Sequence, residues 1–260
     1  MTEQDLDQNT GHLDGDLSKT VQIITKTVNT ALAPVSAFIW GYDKIKEFVS
    51  TKVSDRLKGV PPEDIVPPKP HIAVPAIEAL RYTGSEEELS DLYVNLLASS
   101  MDAKTVSNAH PSFAEIIKQL APDEAKLMKY FASQGNLPLI SVRLETGTAK
   151  GGGHDIINNF SLFGKPANCE NHSLVPSYLD NLGRLGLIKI PDNYWYTDDS
   201  IYDDLRNQPE ITDFIKSIEL QSKLYPHMST FSTKITKKQV QITELGRLFI
   251  AGCITKHRNS

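Results

Sequence analysis

The sequence predicts a mainly α protein with a smaller mixed part, of the α+β class, and three observations lead to that prediction. Apolar residues recur at helical spacing over Ser85–Met128 and, nearer the start, over Val21–Leu57. After Gly135 this period gives way to alternation over Leu137–Glu145, which is typical of a strand. The length of 260 residues is enough for one large or two small domains. We therefore expect helical units first and a mixed unit after them.

Composition and charge are those of an ordinary globular protein. Hydrophobic residues make up 40% of the chain and charged residues 23%, and the net charge of −5 gives no overall attraction to nucleic acid or an anionic membrane. Cys169 and Cys253 lie far apart without a C-x-x-C motif, which favours a reducing compartment over a disulfide framework. The first residues are acidic and polar, the opposite of a secretory signal. We expect a cytoplasmic protein.

An apolar helical arm is predicted near the N-terminus. Residues 1–17 are polar and aperiodic, so we expect disorder there, whereas residues 18–59 form the arm, which Pro34 should kink or split. The ten residues Ala31–Trp40 are the most apolar segment, but a bilayer span needs about 20. They indicate a core or oligomer-contact helix or, with the basic residues downstream, a membrane-surface or pore-forming element. The side chains concerned are Leu32, Val35, Phe38, Ile39 and Trp40.

Prolines mark the next segment. Six of them lie within residues 60–75, where each lacks an N–H group and biases its predecessor away from helix. The prediction is an extended Pro-rich linker over residues 60–75, which is also the best domain boundary. A helix near Ala76–Tyr82 then opens a central helical unit, residues 76–121.

Local signals indicate where the helices of this unit begin. Ser85 and Glu88 match the S-x-x-E capping box, and Pro111 suits the first turn of a later helix. His110 is interpreted as a helix-start residue. The buried stripe of the helix after Ser85 is predicted to be Leu89, Leu92, Tyr93, Leu96, Leu97 and Met101.

Residues 122–258 are predicted to form the mixed domain. About 45 residues, the insertion 191–235, separate two of its strands where a short tip is usual, and they include a helix of their own, Pro209–Leu224. The other predicted elements are helix Pro122–Ser133, strand Leu137–Glu145, helix Leu174–Leu185, strand Leu187–Ile190, strand Lys238–Ile242 and helix Glu244–Cys253.

Four runs of sequence resemble a bacterial family. They are EELSDLYVNLLASSMD, HPSFAEIIKQLAPDEAKLM, YLDNLGRLGLIKI and ITELGRLFIAGC. Together, over roughly Pro70–Cys253, they resemble the Abi-alpha (abortive infection alpha) family. The resemblance implies a part in phage defence by sacrifice of the infected cell, and it brings no catalytic residues. The last two runs and the order of elements also resemble a winged helix. We therefore expect a winged-helix-like C-terminal domain with a long insertion in its wing.

No motif indicates catalysis, a cofactor or a metal ion. The seven histidines are scattered, none forms H-E-x-x-H, and no Cys/His cluster has zinc spacing. The glycine-rich run Gly147–Gly153 lacks the order of a phosphate-binding loop, and the adjacent pair His154 and Asp155 is a poor catalytic motif. We predict no catalytic, cofactor-binding or metal-binding residue, and a protein that is not an enzyme.

Nucleic-acid binding depends on where the basic residues lie. The helix that would enter the groove, Leu174–Leu185, carries only Arg184 and Asp180, and Pro191–Glu219 has eight carboxylates against two basic residues, a net −6. The C-terminal end is basic, and its candidate nucleic-acid contacts are Lys234, Lys237, Lys238 and Arg247. We therefore favour a protein-contact winged helix over a DNA reader.

Three consecutive aromatic residues, Tyr194, Trp195 and Tyr196, form the candidate partner contact. They are either an exposed recognition patch or an anchor that holds the insertion on the core, since aromatic residues serve both purposes.

The resulting hypothesis is a cytoplasmic bacterial defence protein that acts by protein–protein recognition. Its partner would be a phage product or a host protein, and the apolar arm would be an oligomer contact or an effector. One alternative is a winged-helix DNA-binding regulator. Another is a membrane-active toxin that uses the helix over residues 18–58.

Overall fold

The structure is a computed structural model that describes residues 22–30, 43–83, 85–147, 152–224 and 231–255. The described residues fall into two compact units. The first comes from within Met1–Pro122 together with Leu248–Ser260, and the second is Asp123–Arg247. Helices dominate and accompany one four-stranded antiparallel sheet, which confirms the mainly α, α+β prediction.

The first unit has five described α-helices before Pro122. They are α1 (residues 22–30), α2 (Asp43–Arg56), α3 (Pro70–Thr83), α4 (Glu87–Met101) and α5 (Ser112–Lys118). One of them, α4, is buried among its neighbours α2, α3 and α5. The predicted apolar stripe of α4 is buried along its whole length, with Leu92 and Tyr93 fully inaccessible. Polar residues of α4, including Asn95 and Ser99, are buried as well. The helix is therefore enclosed on more than its apolar face, which the amphipathic pattern did not predict.

The capping box predicted at Ser85 is not present. Helix α4 begins at Glu87, and its N-cap residue, Glu86, makes no side-chain capping hydrogen bond. The backbone N–H of Glu86 donates to Thr83 O at 3.0 Å, so the chain turns directly out of α3. The cap residue is therefore Glu86 and not Ser85, and the backbone N–H of Glu86 is already bonded.

Helix α3 corrects the prediction of an extended linker up to Pro75. The helix begins at Pro70, six residues before the predicted start, and Pro75 lies inside it. Pro70 costs little because the first N–H groups of a helix have no intrahelical partner. Burial of Ile72, Ala76 and Ile77 on one face offsets the hydrogen bond that Pro75 cannot donate. Residues 60–75 lie within the first unit.

The start of α5 agrees with the prediction for His110. Ser112 N donates to His110 Nδ1 at 3.2 Å, and the same ring nitrogen lies 2.7 Å from Ser112 Oγ. The imidazole therefore satisfies a free N–H at the helix start and is confirmed as a helix-start residue.

The C-terminal end returns to the first unit. Helix α10 (Glu244–Phe249) continues as a π-helical turn over Ile250–Ile254, where a single α-helix to Cys253 was expected. Asn95 Nδ2 donates to Cys253 O at 2.9 Å, and Ser99 Oγ donates to Gly252 O at 2.8 Å. The buried polar side chains of α4 thus satisfy carbonyl groups of this turn, which explains their burial.

The second unit is built on a sheet with strand order β2-β1-β4-β3. Its strands are β1 (Leu137–Thr146), β2 (Gly153–Phe160), β3 (Ile188–Lys189) and β4 (Phe231–Ile242). Its helices are α6 (Pro122–Gln134), α7 (Val175–Arg184), α8 (Asp203–Arg206) and α9 (Pro209–Leu224). Helix α9 has the predicted bounds. Strand β2 was not predicted, and β4 begins seven residues before the expected Lys238, so the sheet is larger than the sequence indicated.

The insertion between β3 and β4 packs on the sheet. Ile140 and Val142 of β1 form a buried cluster with Tyr202, Leu205 and Ile211 from the insertion. The segment therefore has a core of its own against one sheet face. Antiparallel pairing of β3 with β4 on either side of the insertion is the arrangement expected of two wing strands, while the winged-helix interpretation itself stays a prediction.

The loop before α7 is fixed to α6 by one carboxylate. Asp123 accepts from Glu170 N at 2.9 Å, from Asn171 N at 3.0 Å and from Tyr178 Oη at 3.3 Å, and Lys126 Nζ lies 3.2 Å away. Burial alone would raise the pKa of Asp123, but the backbone N–H groups of Asn171 and Glu170, together with Lys126, hold the pKa below its usual range. The ionised carboxylate is therefore the form that stabilises this loop.

Candidate functional site

The candidate membrane or oligomer contact cannot be placed. Leu32, Val35, Phe38, Ile39 and Trp40 lie outside the described residues, as does the expected kink at Pro34. No helix within the described ranges has both the length and the hydropathy needed to cross a membrane.

The four candidate nucleic-acid contacts do not form one free basic patch. Lys237 Nζ lies 2.8 Å from Asp199 Oδ1, and Arg247 pairs with Glu244 in the same helix. Lys238 has a side chain only 11% exposed, 3.8 Å from Asp155 Oδ2. Lys234 is exposed.

Neighbouring residues on a strand point to opposite faces, so Lys237 and Lys238 also face opposite ways along β4. These contacts leave little free positive charge for phosphate.

The three consecutive aromatic residues divide between the two roles considered for them. Tyr194 is 60% exposed and Trp195 is 47% exposed. Tyr196 is partly buried and donates from Oη to Asn136 O at 2.8 Å and from its backbone N to Tyr202 Oη at 3.0 Å. Tyr196 is therefore an anchor, and the preceding two rings are open to a partner.

Tyr202 is the support under that anchor. Its side chain is fully buried, and its Oη donates to Lys238 O at 3.1 Å while accepting from Tyr196 N. Burial is the main cause that raises the pKa of Tyr202, so the phenol stays protonated and keeps its donor. The anchor is thus connected to β4 through one buried hydroxyl group.

Asp199 binds two cationic side chains, Arg206 and Lys237, that lie over the ring of Tyr202. Arg206 donates to both carboxylate oxygens of Asp199 at 2.7 Å, and Lys237 Nζ lies 2.8 Å away. These bonds hold the pKa of Asp199 far below its usual range. The Arg206 guanidinium and the Lys237 ammonium each lie 5.9 Å from the Tyr202 ring centre, within the range of cation–π contact. An aromatic ring beside a carboxylate therefore already binds cations in this segment.

The insertion that carries the exposed aromatic pair is acidic. All eight carboxylates of Pro191–Glu219 are exposed, against Arg206 and Lys216. We call residues Asp192–Asp204 the aromatic–acidic segment, because they contain Tyr194, Trp195 and five of these carboxylates. This segment would attract a cationic group and repel a phosphate.

The weaker candidates for chemistry have structural partners. Asp155 lies 3.5 Å from Arg143 Nη1 as well as near Lys238, so its carboxylate is engaged in ion pairs beside the exposed His154. Within the described part of the chain, no three His, Cys, Asp or Glu side chains are grouped as metal ligands. Cys169 and Cys253 are buried free thiols.

Sequence reasoning missed a groove of about 910 Å³ in the second unit. Its lining includes apolar residues such as Phe160 and Val175, and its charged residues are Lys165 and Glu210. Opposite charges in one lining favour neither an anion nor a cation, so the groove indicates no ligand class. Tyr202 and Asn136 were missed as well, because their roles come from contacts between distant parts of the sequence.

Comparison with known proteins gives one family and one solved structure. The family model described as abortive infection alpha matches residues 41–253. No curated protein sequence matches the chain. An uncharacterized protein from the hydrocarbon-degrading marine bacterium Alcanivorax borkumensis SK2 is 21% identical, with a TM-score of 0.34, over 55% of this chain and 92% of that one. At that TM-score the likeness carries no argument about the fold.

Proposed function

The chain belongs to the abortive infection alpha family, and on that premise we propose that it contributes to phage defence by recognising a protein partner in the cytoplasm. The partner is a phage product or a host protein, and the recognition step involves no chemical reaction. The second unit serves as a winged-helix-like scaffold that presents a protein-contact surface.

One observation carries the proposal, namely that Tyr194 and Trp195 are exposed on a segment that is firmly anchored. Tyr196 and Tyr202 hold the segment on the sheet through hydrogen bonds of 2.8 to 3.1 Å. Large aromatic side chains are over-represented among the residues that contribute most to protein–protein binding. A surface that is already ordered loses less conformational entropy when a partner binds.

The DNA-binding alternative has less support in the same unit. Affinity for duplex DNA comes mainly from Lys and Arg side chains on phosphates. Lys237, Lys238 and Arg247 each lie within 4 Å of a carboxylate, and the exposed insertion is acidic. We therefore retain protein recognition as the proposed function.

The test is protection of bacteria against a panel of phages. At least one phage should form fewer plaques on cells that express the wild-type chain. The double variant Tyr194→Ala and Trp195→Ala should lose that protection, while its circular dichroism spectrum shows that it is still folded. Tyr82→Ala is the matched control, because Tyr82 is 78% exposed in the first unit. Full protection by the double variant, or equal loss in the control, would reject the proposed surface.

A further inference from the structure

The exposed aromatic pair indicates the chemistry of its partner. We infer that Tyr194 and Trp195 form a docking surface for an arginine-bearing basic segment of a partner protein. The inference rests on the proposed function, and it adds the charge and side-chain type that the partner must present.

The charge of the aromatic–acidic segment favours a cationic partner. Asp192 lies two residues before Tyr194, and Asp198 and Asp204 follow within the aromatic–acidic segment, all exposed. In the described ranges, no Lys or Arg side chain forms a salt bridge with Asp192 or Asp204. A partner that brings cations to this segment gains attraction, whereas an acidic or phosphate-bearing partner is repelled.

The aromatic–acidic segment already binds an arginine side chain of its own chain. Arg206 lies over the Tyr202 ring and donates to both oxygens of Asp199. A planar guanidinium suits this site because it stacks on a ring and bonds a carboxylate with two parallel donors at once. Trp195 and Asp192 present the same two groups to solvent, three residues apart in sequence.

Arginine suits this surface better than lysine does. An ammonium group can also lie over a ring, as Lys237 does over Tyr202, but it lacks the planar fork. Tryptophan is the aromatic side chain that best attracts a cation over its face. We therefore expect the surface to prefer arginine to lysine, and either of them to glutamate.

The experiment is a binding titration of the purified full-length chain, read by the fluorescence anisotropy of labelled probe peptides. Three probes share one length and differ in their four charged positions, which are arginine, lysine or glutamate, separated by glycine. The arginine peptide should bind at low salt, several-fold tighter than the lysine peptide, and more weakly as salt is raised. The glutamate peptide should not bind.

Amino-acid substitutions test whether the arginine peptide binds at Trp195 and the carboxylates of the aromatic–acidic segment. Trp195→Ala should weaken binding of the arginine peptide about tenfold, as expected for loss of a strong cation–π contact. The pair Asp192→Asn and Asp204→Asn should also weaken it. The pair Asp213→Asn and Glu219→Gln removes the same charge from exposed positions on α9 and should change it less than twofold.

The inference would be overturned by any of three results. The arginine peptide does not bind at low salt, it binds no more strongly than the glutamate peptide, or its binding is unchanged in Trp195→Ala. The plaque assay separates this failure from failure of the proposed function. Loss of protection in the aromatic double variant without arginine binding would leave a recognition surface whose partner is not basic.

Discussion

Replacing Asn95 tests how the C-terminal turn is held in the first unit. The side chain is 4% exposed and makes two hydrogen bonds, as donor to Cys253 O at 2.9 Å and as acceptor from Arg56 Nε at 2.7 Å. Leucine keeps the branched shape of asparagine but is larger, so Asn95→Leu removes both bonds without opening a cavity, and crowding adds to its cost. It leaves a buried carbonyl group and a guanidinium N–H without their partner, although Arg56 keeps Asp91 at 3.0 Å.

The expected loss follows from these two groups. An unsatisfied buried polar group costs about 1–3 kcal/mol, and more when it is charged. Asn95→Leu should therefore lower the free energy of unfolding of the first unit by about 3–5 kcal/mol. With a urea dependence of about 2 kcal/mol per molar, the unfolding midpoint should fall by roughly 1.5–2.5 M.

The assay is urea unfolding followed by reaction of the Cys253 thiol with a chromogenic disulfide, in a Cys169→Ser background. Cys253 is fully buried and burial raises its pKa, so it should react only after the turn opens. Ser100→Ala is the control, because its buried hydroxyl bonds only to Leu97 O in the same helix. A midpoint within 0.5 M of the wild type for Asn95→Leu would refute the role given to this side chain, with about 1 kcal/mol as the corresponding limit.

Three further predictions concern the second unit. Tyr202→Phe should lower its free energy of unfolding by about 1–3 kcal/mol in urea, because it leaves a backbone carbonyl and an N–H without their partner; an unchanged midpoint would contradict this. The lowered pKa of Asp123 implies stability that is present above the unfolded pKa and lost as pH falls through the folded pKa. Asp123→Asn should therefore destabilise the protein at pH 7. In thermal melts at a series of pH values, the difference in melting temperature between the variant and the wild type should shrink below about pH 4, whereas a difference that does not change with pH would contradict the lowered pKa of Asp123. Gly246→Ala should destabilise, since its Cβ would lie 2.0 Å from a backbone oxygen, while Gly183→Ala meets nothing within 4 Å and should be neutral or stabilising by thermal melting.

The sequence predicted those elements whose apolar residues face one side. Helix α9 has the expected bounds, and the stripe of α4 is buried, because both patterns repeat at the helical period. Strand β2 lies at the edge of the sheet, where alternate residues are exposed and polar side chains are tolerated. Its sequence, with Asn158 and Asn159 near the end, therefore lacks the apolar alternation by which a strand is predicted. Pro75 misled the prediction, since burial along α3 outweighs its local preference.

The candidate site was only partly accessible to sequence reasoning. The three neighbouring aromatic residues gave no sign that Tyr196 would be the anchor and Trp195 the exposed ring. That distinction depends on Asn136 and Tyr202, which contact the insertion only in the folded chain. Likewise Lys237 looked available until its pairing with Asp199, 38 residues away in sequence, was seen.

The interrupted path of the chain through the first unit has a consequence for synthesis on the ribosome. Asn95 and Ser99 leave the exit tunnel long before Gly252 and Cys253, and the whole of Asp123–Arg247 must emerge in between. Until then the Asn95 amide and the Ser99 hydroxyl, which are buried in the folded protein, lack the carbonyl groups that accept their hydrogen bonds. The second unit is free to fold before Gly252 and Cys253 are made, and the first unit is completed only after the second has left the ribosome.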